Sequence, residues 1–239
     1  MAGALVGVSL LTGLAGTWTQ ALRAERERDR ARDELRFAEA SDGLLRTVLW
    51  EGAARPGQTH ELLMRTERQL QQGYRDAPEL RARLQLLLSD LLREFGDRDA
   101  AQQVLDRARE SASASASATG LPHELIVAKI ECQQAMLIAL RGQPREAQAQ
   151  VVRTLVALGA PSPANEDARL HCHAQGALVY GQVGDVASMR AHAQAGLAII
   201  GSPPQPGQQM LAVTLEGRLA EALAREGDLR AAVQRLESL

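Results

Sequence analysis

The triplet His171-Cys172-His173 is the cluster in this chain whose residue types best suit a metal ion, since imidazole nitrogen and thiolate sulfur are common zinc ligands. Its spacing works against that use. Residues two apart on a helix point about 200° away from each other, so the imidazoles need ligands from another helix to close on one ion, and the sequence offers no convincing set. A structural role is expected, with no metal and no cofactor. Cys172 has one thiol counterpart, Cys132, on a separate predicted helix, with neither a Cys-x-x-Cys pair nor disulfide-rich spacing. The two read as small core residues; a disulfide is the lesser reading and requires an oxidising compartment. Glu166-Asp167 places two carboxylates side by side, but at a predicted helix start, where the free amides account for them. Ser, His and Asp occur without a nucleophile-elbow phrase, and no catalytic residue is assigned.

The elements that must position these residues are helices. The chain is organised around residues 91 to 108, LLREFGDRDAAQQVLDRA, in which one amphipathic helix ends at Phe95-Gly96-Asp97 and another begins at once. Gly96 can take the positive φ that closes a helix, Asp97 can accept from amides of the next, and Ala101 and Ala108 leave room for close packing. Gly142-Gln143, Gly184-Asp185 and Gly227-Asp228 repeat that punctuation at intervals of 46, 42 and 43 residues. One hairpin per period of this length is the sign of a helical solenoid. Composition agrees: 45% of residues are apolar but only 3% aromatic, so Leu, Ala and Val must build the core, which suits close-packed helices. No sustained period-two apolar run appears. A net charge of -2 gives no reason to expect a nucleic-acid partner, and Lys129 is the single Lys among 27 basic residues.

Residues 1–22 carry no charge and approach the ~20 residues that cross a bilayer, with Trp18 placed as an interfacial aromatic, so a single transmembrane helix is expected there. Residues 23–43 read as a charged helical stalk with acid-base pairs three apart, interrupted at Ser41-Asp42-Gly43. Residues 44–75 read as N-terminal capping helices, including one from Thr59 to Gln72 with Leu62, Leu63 and Leu70 turned to the first repeat. Residues 76–239 hold four repeats, at about 76–118, 122–160, 165–201 and 208–239. The first includes SASASASA (Ser111 to Ala118), read as a helix extension or linker without packing or chemistry.

Set in register on their turns, the hairpins resemble the tetratricopeptide repeat, with Leu88, Leu92, Ala101, Leu105 and Ala108 in the first and Leu219, Ala220, Leu223, Ala232 and Leu236 in the fourth at matching positions. Met189, Gly196 and Gln134 depart from the pattern, and the periods exceed the usual one. The front of the chain has an apolar span ending in Trp18 to Ala21, a stalk rich in Arg and Glu, then Thr59-His60-Glu61-Leu62-Leu63. That layout is similar to the region C-terminal to the catalytic domain in bacterial membrane-anchored serine/threonine protein kinases with tetratricopeptide repeats. The resemblance implies an all-α, right-handed tetratricopeptide-like solenoid and a single pass through the bacterial inner membrane. It implies no catalysis by this chain, which has no Gly-rich phosphate loop, no His-Arg-Asp loop and no Asp-Phe-Gly. With a kinase ahead of Met1 the repeats fall outside the cytoplasm; with Met1 as the start, the arginines of residues 23 to 36 keep them inside.

In such an array the first helix of each hairpin lines a concave surface. The resemblance places Arg83, Asp90, Arg93, Lys129, Met136, His171, Gln182, Glu221 and Arg225 there, as contacts for a protein or peptide ligand or as a merely solvated face. Val233, Leu236 and Leu239 keep apolar register to the last residue, and the expected consequence is an exposed apolar strip, either left by a chain that once continued into further repeats or covered by self-association through the C-terminal hairpin. The leading expectation is thus a membrane-anchored scaffold for protein partners. A detached end of a longer kinase polypeptide and a soluble regulator are the alternatives.

Overall fold

The computed structural model describes residues 20, 24, 25, 28, 31, 32, 35–46, 48, 59–115, 120–201, 203–204 and 208–237. Among them there are helices and no strand, so the chain is all-α. It divides into two units, Met1–Arg46 and Thr47–Leu239.

In the first unit, residues 35 to 46 form one helix that continues through Ser41-Asp42-Gly43, where a break was expected. Arg46 pairs with Asp42 at 2.9 Å, one turn back, and Ser41 Oγ donates to the Ala38 carbonyl at 3.0 Å. Both side chains therefore support the helix instead of competing with its backbone. The proposed membrane span, residues 1–22, lies outside the described residues except for Gln20. Among the described residues no helix is long and apolar enough to cross a membrane. Even the helix Gly120–Leu140, at 21 residues, carries Glu124, Lys129 and Glu131. The expected single-pass placement in a bacterial inner membrane is corrected on that finding.

The second unit contains α1 (Thr59–Gly73), α2 (Pro78–Glu94), α3 (Arg98–Ser115), α4 (Gly120–Leu140), α5 (Pro144–Ala157), α6 (Glu166–Val183), α7 (Val186–Ile200), α8 (Gln209–Arg225) and α9 (Leu229–Glu237). From α2 onward they pair as hairpins. Each hairpin turns on a glycine whose φ is positive, 83° at Gly96 and Gly142, 80° at Gly184 and 93° at Gly227. The amide after each glycine reaches back to close the helix: Asp97 to Leu92, Gln143 to Ile138, Asp185 to Tyr180 and Asp228 to Leu223, at 2.9 to 3.2 Å. The next helix is then capped by the same aspartates. Asp97, Asp185 and Asp228 accept through Oδ1 from the amides of Ala100, Ser188 and Ala231, each at 3.0 Å. Gln143 makes no such bond, and Pro144, at the start of that helix, has no amide to leave unpaired.

Packing repeats as the turns do. Each first helix (α4, α6, α8) packs on its own second helix, on the second helix of the hairpin before it, and on the preceding first helix. Leu84, Leu88 and Leu92 of α2 and Val104, Leu105 and Ala108 of α3 are fully buried between the two helices. At ~25 cal/mol per Å² of apolar surface, each buried leucine contributes at most about 2–3 kcal/mol. Helix α1 docks on this first hairpin through a buried polar network as well as through Leu63. Glu67, 1% exposed, accepts from Arg107 (2.8 Å), Gln71 (2.7 Å) and Gln85 (3.2 Å). Gln85 in turn accepts from Ser111 at 2.8 Å, and Ser111 accepts from Arg81 at 2.9 Å. Ser111 and Ala112 are buried, so the start of the Ser/Ala run does pack, contrary to the sequence expectation. Residues 116–119 of that run lie outside the described residues.

Candidate functional site

Three first helices carry polar side chains to one face. On α2 these are Arg83, Asp90 and Arg93; on α4, Lys129 and Gln133; on α6, Asp167, His171 and Gln175. Spacings of four on α4 and α6 put each set in a row along one side of its helix. The rows meet. The Lys129 ammonium contacts the Asp167 carboxylate, Gln133 Nε2 donates to the Leu86 carbonyl of α2 at 3.0 Å, and Gln175 Nε2 reaches Asp90 Oδ1 at 3.5 Å. The last contact joins the first hairpin to the third.

The charges on this face are unevenly compensated. Loss of water favours a neutral Asp167, yet the Lys129 ammonium, with His171 and Arg83 further off, outweighs that and holds its carboxyl below the ordinary value. Burial, then the Lys129 charge, push His171 down to about 4, against the Asp167 carboxylate and a hydrogen bond to the Lys129 main chain. Asp90 is raised above the ordinary carboxylate value, by burial first. Arg93 opposes that rise without cancelling it, its Nη2 standing 3.4 Å from Asp90 and 2.7 Å from Glu94. Five buried side-chain polar atoms lack a hydrogen-bond partner among the described residues: Arg93 Nε, Gln133 Oε1, His171 Nε2, Gln175 Oε1 and Gln102 Oε1. All but Gln102 belong to this face. A buried polar atom left unpaired costs about 1–3 kcal/mol, so their concentration in one place marks this face as the candidate site.

Not every expected residue joins it. Met136 is 6% exposed and packs with Ala147 and Val151 of α5 and Val179 of α6, so it is an interior residue and not a surface contact. Gln182 is exposed near the end of α6. Glu221 accepts from Arg218 and Arg225, both at 2.6 Å, and Arg225 also approaches the Gly181 carbonyl at 3.4 Å. Those residues form a separate cluster on α8. Gln133, Gln175 and Asp167 were missed, although Gln133 falls four after Lys129 and Asp167 and Gln175 fall four either side of His171, the register that shares a helix face.

The His171-Cys172-His173 triplet splits as helix geometry requires. His171 turns to Lys129 and Asp167, whereas His173 Nδ1 lies 3.2 Å from His192 Nδ1 on α7, and His192 stacks on Tyr180 with centroids 5.0 Å apart. Among the described residues no three His, Cys, Asp or Glu side chains converge as metal ligands. Cys172 is buried and disulfide-bonded to Cys132, with Cα atoms 5.1 Å apart. Both cysteines are core residues, as expected, but they form the disulfide that was the lesser reading and cross-link α4 to α6: a separation of 40 residues, one repeat, sets equivalent positions of neighbouring first helices side by side. A cleft of about 450 Å³ lies elsewhere, lined by Thr59, His60, Leu63, Leu92, Phe95, Gly96 and Asp97, with His60 against the Asp97 carboxylate that caps α3.

Compared with protein-family models, with curated proteins and with solved structures, the chain matches none.

Proposed function

We propose that the four hairpins form a right-handed tetratricopeptide-like array, and that the array is a non-catalytic scaffold which holds a protein or peptide segment on the face shared by α2, α4 and α6. The observation that carries this is the convergence of polar side chains from three hairpins, with four buried polar atoms there unpartnered. A structural network satisfies its polar groups internally, as the Glu67 network does. The packing of first helix on first helix supports the array, because it lines up successive first helices on one side. No catalytic role is assigned to any residue.

Selection of peptides from a random library on the full chain tests the reading. Peptides that bind wild type are expected to lose at least tenfold in affinity when Lys129→Glu is combined with Asp167→Lys, a swap that keeps the ion pair but inverts its charges. Selected peptides that bind the swapped protein equally, or a library from which none is enriched, would overturn it.

A further inference from the structure

Three of the four unpartnered atoms on this face are acceptors; the fourth, Arg93 Nε, is a donor. Gln133 is 1% and Gln175 3% exposed, and each spends its amide nitrogen on the protein, on Leu86 and Asp90, leaving its oxygen as an idle acceptor. His171 bonds the main chain at Lys129 while Nε2 has no partner, so the bond falls to Nδ1, and in the neutral ring Nε2 is a third idle acceptor. Asp90 adds a carboxylate whose protein contacts are both long, 3.4 and 3.5 Å, against the 2.7–2.9 Å of a strong charge-assisted bond. The positive charge nearest to it, Arg93, is drawn to Glu94 at 2.7 Å. Helix register brings these groups level: Gln133 lies one turn beyond Lys129 and Gln175 one turn beyond His171, while Asp90 touches Gln175 directly. The Asp90 side chain is 28% exposed, which leaves this end of the cluster open.

We propose that Asp90, Gln133, Gln175 and His171 form a subsite for the guanidinium of an arginine side chain on the bound peptide. An ammonium has three donors on a point; a guanidinium has five N–H groups in a planar fork, enough to meet a carboxylate and several neutral acceptors at once. Asp90, whose contact with Arg93 is 3.4 Å, gains a second cation there. The subsite rests on the peptide-binding reading above and goes beyond it by naming the side chain recognised.

Titration calorimetry of the full chain tests it with three probes of one length: Ac-Ala-Ala-Arg-Ala-Ala-NH2, the same peptide with citrulline, which keeps the shape but lacks the charge, and the same peptide with glutamate. The arginine peptide is expected to bind at least tenfold more tightly than the other two, and both Asp90→Asn and Gln175→Leu to remove that preference while leaving the circular dichroism unchanged. The paired variants guard against a fold effect at either position. Equal binding of arginine and citrulline peptides, or an arginine preference that survives both variants, overturns the subsite. A preference for the glutamate peptide, lost in Lys129→Glu, overturns it while leaving the peptide-binding reading intact; binding of none of the three overturns the subsite alone if library-selected peptides still bind. Free arginine amide that binds as tightly as the pentapeptide also counts against it, since the ligand would then be a small cation.

Discussion

Single residues on this face show where helix periodicity suffices and where it does not. Lys129 and His171 are legible as sharing a surface through the repeat register, but the partners that make the place unusual, Gln133 and Gln175, are neutral and read as ordinary polar positions. Their significance is an unpaired oxygen, which depends on what the opposite helix presents and not on local sequence. Histidine titration belongs to this scale. His171 and His173 are both pushed down to about 4 from an ordinary 6.5, the first by burial and Lys129, the second by burial, then His192 and Arg169. The folded protein therefore binds fewer protons than the unfolded chain between those values, so their contribution is complete above pH 6.5 and is lost as pH falls toward 4. The thermal midpoint is expected to decline across that window, and His173→Gln to flatten the decline; an unchanged midpoint between pH 6.5 and 4.5 would contradict the burial of these rings.

At the scale of elements, packing explains departures from the repeat pattern. Met189 stands where a smaller residue is usual, and it fits, fully buried, because Gly181 lies opposite: a Cβ there would sit 2.8 Å from the methionine sulfur. The pair is complementary across α6 and α7, a relation that neither residue shows alone. Gly196 plays the same part for Leu215, whose Cδ1 would lie 2.7 Å from an added Cβ. Gly196→Ala is thus expected to cost about 1–3 kcal/mol by forcing α7 from α8. Gly217, also helical but with nothing within 4 Å, gives the opposite sign: Gly217→Ala should stabilise by about 0.5–1 kcal/mol. Thermal denaturation of the two variants checks the pair, and a loss at Gly217 would mean that α8 packs differently. The turns, in contrast, were readable from sequence alone, since Gly supplies the positive φ and the following Asp its cap within five residues. The disulfide was not, because its spacing is one repeat rather than a motif. It closes a loop of 40 residues, for which chain entropy allows about 4 kcal/mol, so replacing both cysteines by alanine is expected to lower stability by roughly 2–4 kcal/mol in denaturant titration. A loss below about 1 kcal/mol would show that the hairpins are held by packing alone.

The whole second unit is a chain of hairpins that each bury one side against the next, and the last one leaves apolar surface uncovered. Leu229, Val233 and Leu236, at helical spacing on α9, are 65%, 53% and 52% exposed. Two molecules pairing along that strip would cover it, and Leu236→Asp is expected to reduce any dimer in sedimentation velocity without loss of helical content; an undiminished dimer would place the contact elsewhere. That strip is separate from the face of α2, α4 and α6, which holds a peptide in the function proposed above. Hydrogen-deuterium exchange of the full chain, with and without a peptide selected on it, tests that most directly. Protection confined to α2, α4 and α6 is predicted, with α3, α5 and α7 unchanged; protection that falls instead on the second helices or on α1 would contradict it.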